Sequence, residues 1–174
     1  MPANIEIKAR VSDPETLLAK ARALTGSEPE IILQTDTFFQ AETGRLKVRE
    51  FADGSGELIS YHRPDFEGPK TSSYAISRTA DANALRNVLA AALPARGVVR
   101  KKRLLLLAGR TRIHLDEVEG LGFFMELEVV LADEEDQDDG EMEAAKLMER
   151  LGVTSDNLVS GAYIDLLESQ QQNH

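Results

Sequence analysis

The chain has 174 residues, of which 42% are hydrophobic and 29% charged, as in ordinary soluble globular proteins. This length is enough for a sizeable core, and we predict a single domain over residues 1–174. The formal net charge of −10 argues against a nucleic-acid polymer as partner, because phosphate contacts need a surplus of Lys and Arg. The chain has no cysteine, which excludes disulfides, thiolate catalysis and cysteine-ligated zinc or iron–sulfur centres.

The sequence predicts neither export nor membrane insertion. From Met1 it passes directly into a strand-like segment with Glu6 and Lys8, without the basic and then apolar regions of a secretory signal. The apolar run from Leu104 to Ala108 is far too short to cross a bilayer. We therefore expect a cytoplasmic protein with no membrane partner.

Alternating apolar and polar residues predict eight strands along the chain. They are Ile5 to Val11, Ile31 to Phe39, Arg45 to Phe51, Glu57 to Arg63, Ser72 to Arg78, Val98 to Ala108, Thr111 to Glu119 and Phe123 to Ala132. Helical spacing of apolar residues and helix-capping residues predict four helices. Two follow the N-caps Asp13 and Asp81 and end at Gly26 and Pro94, and two span Gly140 to Leu151 and Ala162 to Leu167.

Short turns connect most of the predicted strands. The pairs Thr43-Gly44 and Asp53-Gly54 are tight-turn signals, and the second is typical of a β-hairpin. Strands joined mainly by hairpins form an antiparallel sheet, and a sheet of this size curves toward closure. We therefore predict an α+β fold in which an eight-stranded antiparallel β-barrel, closed or nearly closed, has the helices packed outside.

Several predicted strands place charges two residues apart, where both side chains point to the same face. These stretches are Glu6-x-Lys8-x-Arg10, Lys47-x-Arg49, Lys101-x-Arg103 and Glu126-x-Glu128. The same alternation extends this polar face over most of the strands. Its further members are Asn4, Glu57, Tyr61, Arg63, Arg112, His114 and Asp116. The opposite face carries apolar residues such as Ile7, Val48 and Leu127, on which amphipathic helices can pack.

The polar face has two interpretations. If it lines the interior of the barrel, basic pairs on some strands and an acidic pair on another suit a polyanion bound with a divalent metal. Burying these charges is costly unless they are paired, hydrated or neutralised by a ligand. The alternative is that they form the solvent side of an open antiparallel sheet. Charge spacing alone leaves both interpretations open.

Beyond spacing, the motifs resemble those of the CYTH superfamily, the triphosphate tunnel metalloenzymes. The segment Asn4-Ile5-Glu6-Ile7-Lys8 resembles the N-terminal ExExK signature of that family. Further matching segments occur in the expected order. They are Lys47-Val48-Arg49, Arg63 with Lys70, Lys101-Lys102-Arg103, Arg112-Ile113-His114-Leu115-Asp116, Glu126-Leu127-Glu128 and the tail Gly161 to Leu167. The resemblance spans nearly the whole chain.

The resemblance implies an eight-stranded tunnel that binds a triphosphate together with Mg²⁺ or Mn²⁺. Carried over by motif, the phosphate-binding residues would be Lys8, Lys47, Arg49, Arg63, Lys101, Arg103 and Arg112. The metal ligands would be Glu6, Glu126 and Glu128, joined by Asp116. Within these sets Lys8, Arg49 and Arg112 are the expected catalytic residues. Homodimers are common among similar proteins, although no segment of this sequence identifies an interface.

One position departs from the family signature. Asn4 stands where the first glutamate of ExExK is expected, and a neutral amide adds no charge to a metal site. This departure weakens the case for a second metal ion. The sequence leaves the roles of two other residues open. His114 is a candidate for an auxiliary proton or phosphate contact. Tyr163 either helps to close the tunnel or is buried where the C-terminal helix packs on the barrel.

The sequence therefore predicts a metal-dependent enzyme that hydrolyses an organic or inorganic triphosphate. The first alternative is a class IV-type adenylyl cyclase, which converts ATP to cyclic AMP and pyrophosphate. The second is a non-catalytic module that binds a nucleotide or polyphosphate. Hydrolysis and cyclisation both need phosphate oxygens neutralised by fixed cations, so the basic residues alone do not choose between them.

Overall fold

A computed structural model describes residues 3–173, which form eight strands and four α-helices. Met1, Pro2 and His174, which the predicted domain includes, lie outside the described residues. The strands are β1 (Ala3–Arg10), β2 (Glu30–Phe39), β3 (Arg45–Phe51), β4 (Gly56–His62), β5 (Lys70–Thr79), β6 (Ala95–Ala108), β7 (Thr111–Val118) and β8 (Gly122–Val130). The helices are α1 (Pro14–Thr25), α2 (Ala82–Ala92), α3 (Gln137–Arg150) and α4 (Tyr163–Gln172).

The eight strands close into a barrel in the order β1-β5-β4-β3-β2-β6-β7-β8. All neighbouring pairs are antiparallel, and the pairing of β1 with β8 completes the circle, with Glu6 opposite Glu128. The prediction of a closed eight-stranded antiparallel barrel with helices outside is thus confirmed. None of the described helices is long and apolar enough to cross a membrane.

Three predicted boundaries were wrong by three residues or more, and one of them is the end of α4, which lies at Gln172 rather than Leu167. Strand β6 begins at Ala95 rather than Val98, because Phe39 of β2 still pairs with Ala95 across a register shift. Helix α3 begins at Gln137 rather than Gly140, because the Asp136 side chain accepts a hydrogen bond from the Asp138 N–H and caps the helix there. Asp138 and Asp139 therefore belong to the first turn of α3, where negative charge is favourable.

The outer face of the barrel is apolar and packs against the helices. Ile7 of β1 and Leu127 of β8 are fully buried in a cluster that also includes Leu17 of α1 and Leu147 of α3. Helix α3 lies very close to the barrel, since a Cβ atom on Gly140 would come within 2.7 Å of the Ile5 side chain. Because the apolar residues of β1, β7 and β8 in this cluster point outward, the alternating polar residues of these strands point into the barrel.

The C-terminal segment closes one end of the barrel. The Val159 N–H donates to the Lys8 carbonyl at 2.9 Å, which ties the segment to β1 before α4 begins. Tyr163 and Ile164 at the start of α4 pack in a buried cluster with Phe38 and Phe124 from the barrel interior. This end, which we call the closed end, is therefore sealed by apolar contacts.

Asp165 holds α4 in this position. Its carboxylate accepts a hydrogen bond from the Ala162 N–H at 2.7 Å and lies 2.7 Å from Arg45 and 3.0 Å from Arg96. Arg45 belongs to β3 and Arg96 to β6, so one carboxylate joins the last helix to two walls of the barrel.

We predict that Asp165→Ala destabilises the closed end. Loss of the cap and of two partly exposed ion pairs should lower the free energy of unfolding by about 1–2 kcal/mol. Thermal unfolding followed by circular dichroism measures this change. The control Gln171→Ala alters an exposed residue of the same helix and should leave the Tm unchanged. Equal Tm values for the two variants would show that Asp165 does not secure α4.

Candidate active site

A cavity of about 390 Å³ lies inside the barrel and receives side chains from all eight strands. Eight Lys or Arg residues and four glutamates are among the residues that line it. The charged lining residues are Glu6, Lys8, Lys47, Arg49, Glu57, Arg63, Arg78, Lys101, Arg103, Arg112, Glu126 and Glu128. A protein with a net charge of −10 thus encloses a predominantly basic cavity, which suits a small polyanion.

The structure brings together most of the residues that the sequence selected. All seven expected phosphate-binding residues line the cavity, as do three of the four expected metal ligands, Glu6, Glu126 and Glu128. The fourth, Asp116, is buried and does not line the cavity. Arg10 lies outside the cavity lining, with its guanidinium 5.1 Å from the centre of the Phe124 ring. The roles of the lining residues as ligands stay predictions.

Asp36 of β2 holds three cations at one wall of the cavity. Its carboxylate accepts hydrogen bonds from Arg49 at 2.8 Å through both oxygens and from Lys47 at 2.9 Å, and Lys101 lies 3.8 Å away. Burial alone would raise the pKa of Asp36, but these three cations keep that pKa well below its ordinary value. Asp36 therefore stays ionised and fixes the cations beside the cavity.

Sequence reasoning missed Asp36. Asp36 lies on the inward face of β2, two residues from both Gln34 and Phe38, which line the cavity. Neither neighbour on this face is charged, so the strand lacks the paired charges that marked the other strands. A single carboxylate within the predicted strand Ile31 to Phe39 was the available signal. It becomes informative only when the register places Asp36 opposite Arg49.

Asp116 pairs with a cation instead of facing the cavity. It accepts two hydrogen bonds from Arg103 at 2.8 and 2.7 Å, and a third from the Tyr163 hydroxyl at 2.8 Å. Burial would raise its pKa, but Arg103 brings the pKa of Asp116 down to about 2. In this arrangement Asp116 orients Arg103 and Tyr163.

His114, Glu126 and Glu128 form the one group found among the described residues whose ligand atoms could converge on a metal ion. Their ligand atoms all lie within 4.8 Å of one another. His114 Nδ1 is buried, has no hydrogen-bond partner among the described residues, and lies 3.9 Å from an oxygen of each glutamate. Two carboxylates are suitable ligands for Mg²⁺ or Mn²⁺, whereas an imidazole is more typical of transition-metal sites.

The position of His114 depends on strand pairing. The sequence spacing of the histidines gave no metal-binding motif, but the β7–β8 register places His114 directly opposite Glu126. Glu6, the remaining expected ligand in the cavity, is instead 2.6 Å from Arg63. Burial raises the pKa of Glu6 above its ordinary value even though Arg63 opposes this effect.

The closed end contributes backbone and aromatic groups to the cavity. The Gly161 carbonyl accepts hydrogen bonds from Lys8 and Arg63, both at 3.0 Å. The Tyr163 ring centre lies 4.0 Å from Lys8 Nζ and 5.0 Å from Lys101 Nζ. Tyr163 therefore fulfils both roles considered from sequence, since it is buried at the start of α4 and closes the cavity.

Comparison with known proteins identifies the family. A Methanocaldococcus jannaschii protein named "Putative adenylate cyclase" is 25% identical over 172 residues, covering 93% of this chain and 97% of that protein. A Pyrococcus horikoshii structure has 23% identity and a TM-score of 0.81, covering 94% of this chain and 98% of its own. A "putative adenylate cyclase" structure from Vibrio parahaemolyticus has 16% identity and a TM-score of 0.75, covering 95% and 97%. The family model for the CYTH domain matches residues 2–163, so the chain belongs to the CYTH domain family, whose metal-dependent enzymes bind triphosphates.

Proposed function

We propose that this protein binds a triphosphate in the barrel cavity and hydrolyses it in a metal-dependent reaction. The main support for the proposal is that one cavity contains both a set of basic side chains and a group of possible metal ligands. Eight basic side chains surround the cavity, and the group of His114, Glu126 and Glu128 has ligand atoms within 4.8 Å of one another. A triphosphate is the small molecule that needs both many cations and a divalent metal.

The basic residues supply the binding energy. Arg49 and Arg103 present planar guanidinium groups that can contact two phosphate oxygens at once, whereas Lys8 and Lys101 act as point charges. Since Asp36 and Asp116 already fix the two arginines, the cations are in place before a ligand arrives. Such preorganisation favours stabilisation of the charge that develops on phosphate oxygens in the transition state.

The two carboxylates of this group fit Mg²⁺ or Mn²⁺, and His114 Nδ1, which lacks a partner among the described residues, lies close enough to join them. When bound, such an ion polarises a phosphoryl oxygen and activates water. His114, Glu126 and Glu128 would hold it, while Arg103 and Lys8, 3.5 and 3.6 Å from Glu126, balance the charge of the glutamates. Glu6 positions Arg63 toward the same region.

Adenylyl cyclase activity is the second candidate. It is favoured by the names of the Methanocaldococcus and Vibrio relatives, both of which carry the words adenylate cyclase. Cyclisation requires a ribose hydroxyl near the α-phosphate, while hydrolysis requires a water molecule at the reacting phosphorus. The same basic cavity serves either reaction.

A product assay distinguishes these reactions. Purified protein is incubated with Mg²⁺ or Mn²⁺ and, in turn, ATP, tripolyphosphate and thiamine triphosphate. We expect free phosphate; pyrophosphate with cyclic AMP would establish the cyclase instead, and binding without turnover would establish a binding module.

Arg49→Ala should weaken triphosphate binding by about 1.5–3 kcal/mol through loss of a charge-assisted contact. The control Arg22→Ala changes an arginine of α1 outside the cavity lining, and an equal effect of both variants would refute the role of Arg49.

The protonation of Lys101 should make binding depend on pH. Burial and the nearby Arg103 lower the pKa of Lys101 to about 7, although Asp36 opposes them. Arg49, Asp116 and the Tyr163 ring also surround this amine. A bound polyanion favours the charged amine, so binding should take up a proton above pH 7, and affinity should fall as pH rises further.

Calorimetry in buffers of different ionisation enthalpy measures this proton uptake between pH 7.5 and 9. Arginine keeps its charge throughout this range. The Lys101→Arg variant should therefore take up fewer protons on ligand binding than the wild type, by as much as one. Lys102→Arg, on the outer face of the same strand, should behave like the wild type. Identical uptake in all three proteins would mean that Lys101 is already charged in the free protein.

The metal group has its own test in the absence of substrate. Glu128→Gln removes a charged ligand while keeping the size of the side chain, so Mn²⁺ affinity should fall by about tenfold or more. Electron paramagnetic resonance of free Mn²⁺ measures the affinity directly. Glu117→Gln, which alters an exposed glutamate of β7, is the matched control. Unchanged Mn²⁺ binding by Glu128→Gln would exclude this residue as a ligand.

A further inference from the structure

The side chain of Tyr163 is joined to three of the basic residues that line the cavity. Its ring centre lies 4.0 Å from Lys8 Nζ and 5.0 Å from Lys101 Nζ. Its hydroxyl donates a hydrogen bond of 2.8 Å to Oδ2 of Asp116, the same oxygen that accepts from Arg103 at 2.7 Å. Tyr163 therefore contacts two lysines directly and reaches an arginine through one carboxylate oxygen.

The contact between Tyr163, Asp116 and Arg103 is enclosed on all sides. Tyr163 is 5% exposed, Asp116 1% and Arg103 4%. The Tyr163 ring also packs edge-on against Phe124, with the ring centres 5.1 Å apart. Hydrogen bonds to a charged group in such a buried site are strong and hold their partners in a narrow range of directions. The hydroxyl thus restrains the carboxylate, and the carboxylate restrains the guanidinium.

Asp116 leaves one nitrogen of Arg103 for a ligand. The carboxylate accepts hydrogen bonds from Nε and Nη2 of Arg103, so Nη1 is the nitrogen that it does not engage. Arg103 lines the cavity, whereas Asp116 does not. Because a guanidinium is planar, two hydrogen bonds on one side fix the plane and with it the direction of Nη1. A shift of the carboxylate would turn that nitrogen away from a phosphate oxygen.

We propose that Tyr163 is a positioning residue for triphosphate binding, whose hydroxyl holds Asp116 so that Arg103 is aligned with the phosphates. This inference rests on the proposed binding of a triphosphate in the cavity, but not on its hydrolysis. Without the hydroxyl, Asp116 still pairs with Arg103, so the expected defect is misalignment of a cation and not its loss. Since Tyr163 is the first residue of α4, the placement of a helix outside the barrel bears on a cation inside it.

A double-mutant cycle distinguishes positioning from simple packing at the closed end. The affinities for tripolyphosphate and for ATP are measured by calorimetry in the presence of Mg²⁺. Tyr163→Phe keeps the ring beside the two lysines and removes only the hydroxyl, so it should weaken binding about threefold to tenfold. In an Arg103→Lys background the two-pronged pairing with Asp116 is already absent, and Tyr163→Phe should change the affinity less than about twofold.

Ile164→Val is the matched control for packing. Ile164 follows Tyr163 in the sequence, is 2% exposed and belongs to the same buried cluster. Loss of one methyl group there should lower the Tm, as in other cores, and leave the affinity for both ligands unchanged. Thermal unfolding followed by circular dichroism verifies that every variant is folded. Asp116→Asn, which breaks the same pairing from the other side, provides a second background if Arg103→Lys does not fold.

The outcomes separate this inference from the proposed function. An unchanged affinity of Tyr163→Phe would overturn the inference, and so would an equal loss in the wild-type and Arg103→Lys backgrounds, while triphosphate binding would stand. If the wild type binds without turnover, the proposed hydrolysis fails and the cycle still decides the role of Tyr163. If neither ligand binds to the wild type, the inference and the proposed function fail together.

Discussion

Pairing of buried charges inside a closed barrel is the interaction on which this structure depends. Lys47, Arg49 and Lys101 could not share one buried wall of the cavity unless a carboxylate offset their repulsion, and Asp36 does so with both oxygens. Asp116 does the same for Arg103. The neutralisation is incomplete, because basic side chains outnumber acidic ones among the residues that line the cavity. The remaining positive charge is available to a ligand.

The same pairing explains how an acidic protein can present a basic site. Potential inside a cavity is governed by nearby charges, since screening suppresses the influence of distant ones beyond about 10 Å. Most carboxylates that make the chain acidic are exposed, as in the segment around Asp133 to Glu141. Closure of the barrel thus separates an acidic exterior from a basic interior.

Much of this arrangement follows from the alternation of residues along each strand. Because Glu6, Lys47 and Glu126 have opposite parity to Ile7, Val48 and Leu127, the outward packing of the apolar set forces the charged set inward. The sequence could not reveal the partner of each charge, which depends on the register between strands. Asp36 was missed for this reason, and the proximity of His114 to Glu126 also appears only across the β7–β8 pair.

The chemistry of the cavity changes along the barrel axis. At the closed end, Tyr163 and the Gly161 carbonyl occupy the space beside Lys8, which limits how deeply a phosphate can enter. The basic side chains line the rest of the cavity, from Lys47 and Arg103 to the exposed Arg78 and Arg112. Because the C-terminal segment closes one end of the barrel, a polyanion enters from the other end, and the direction of entry is set by the fold.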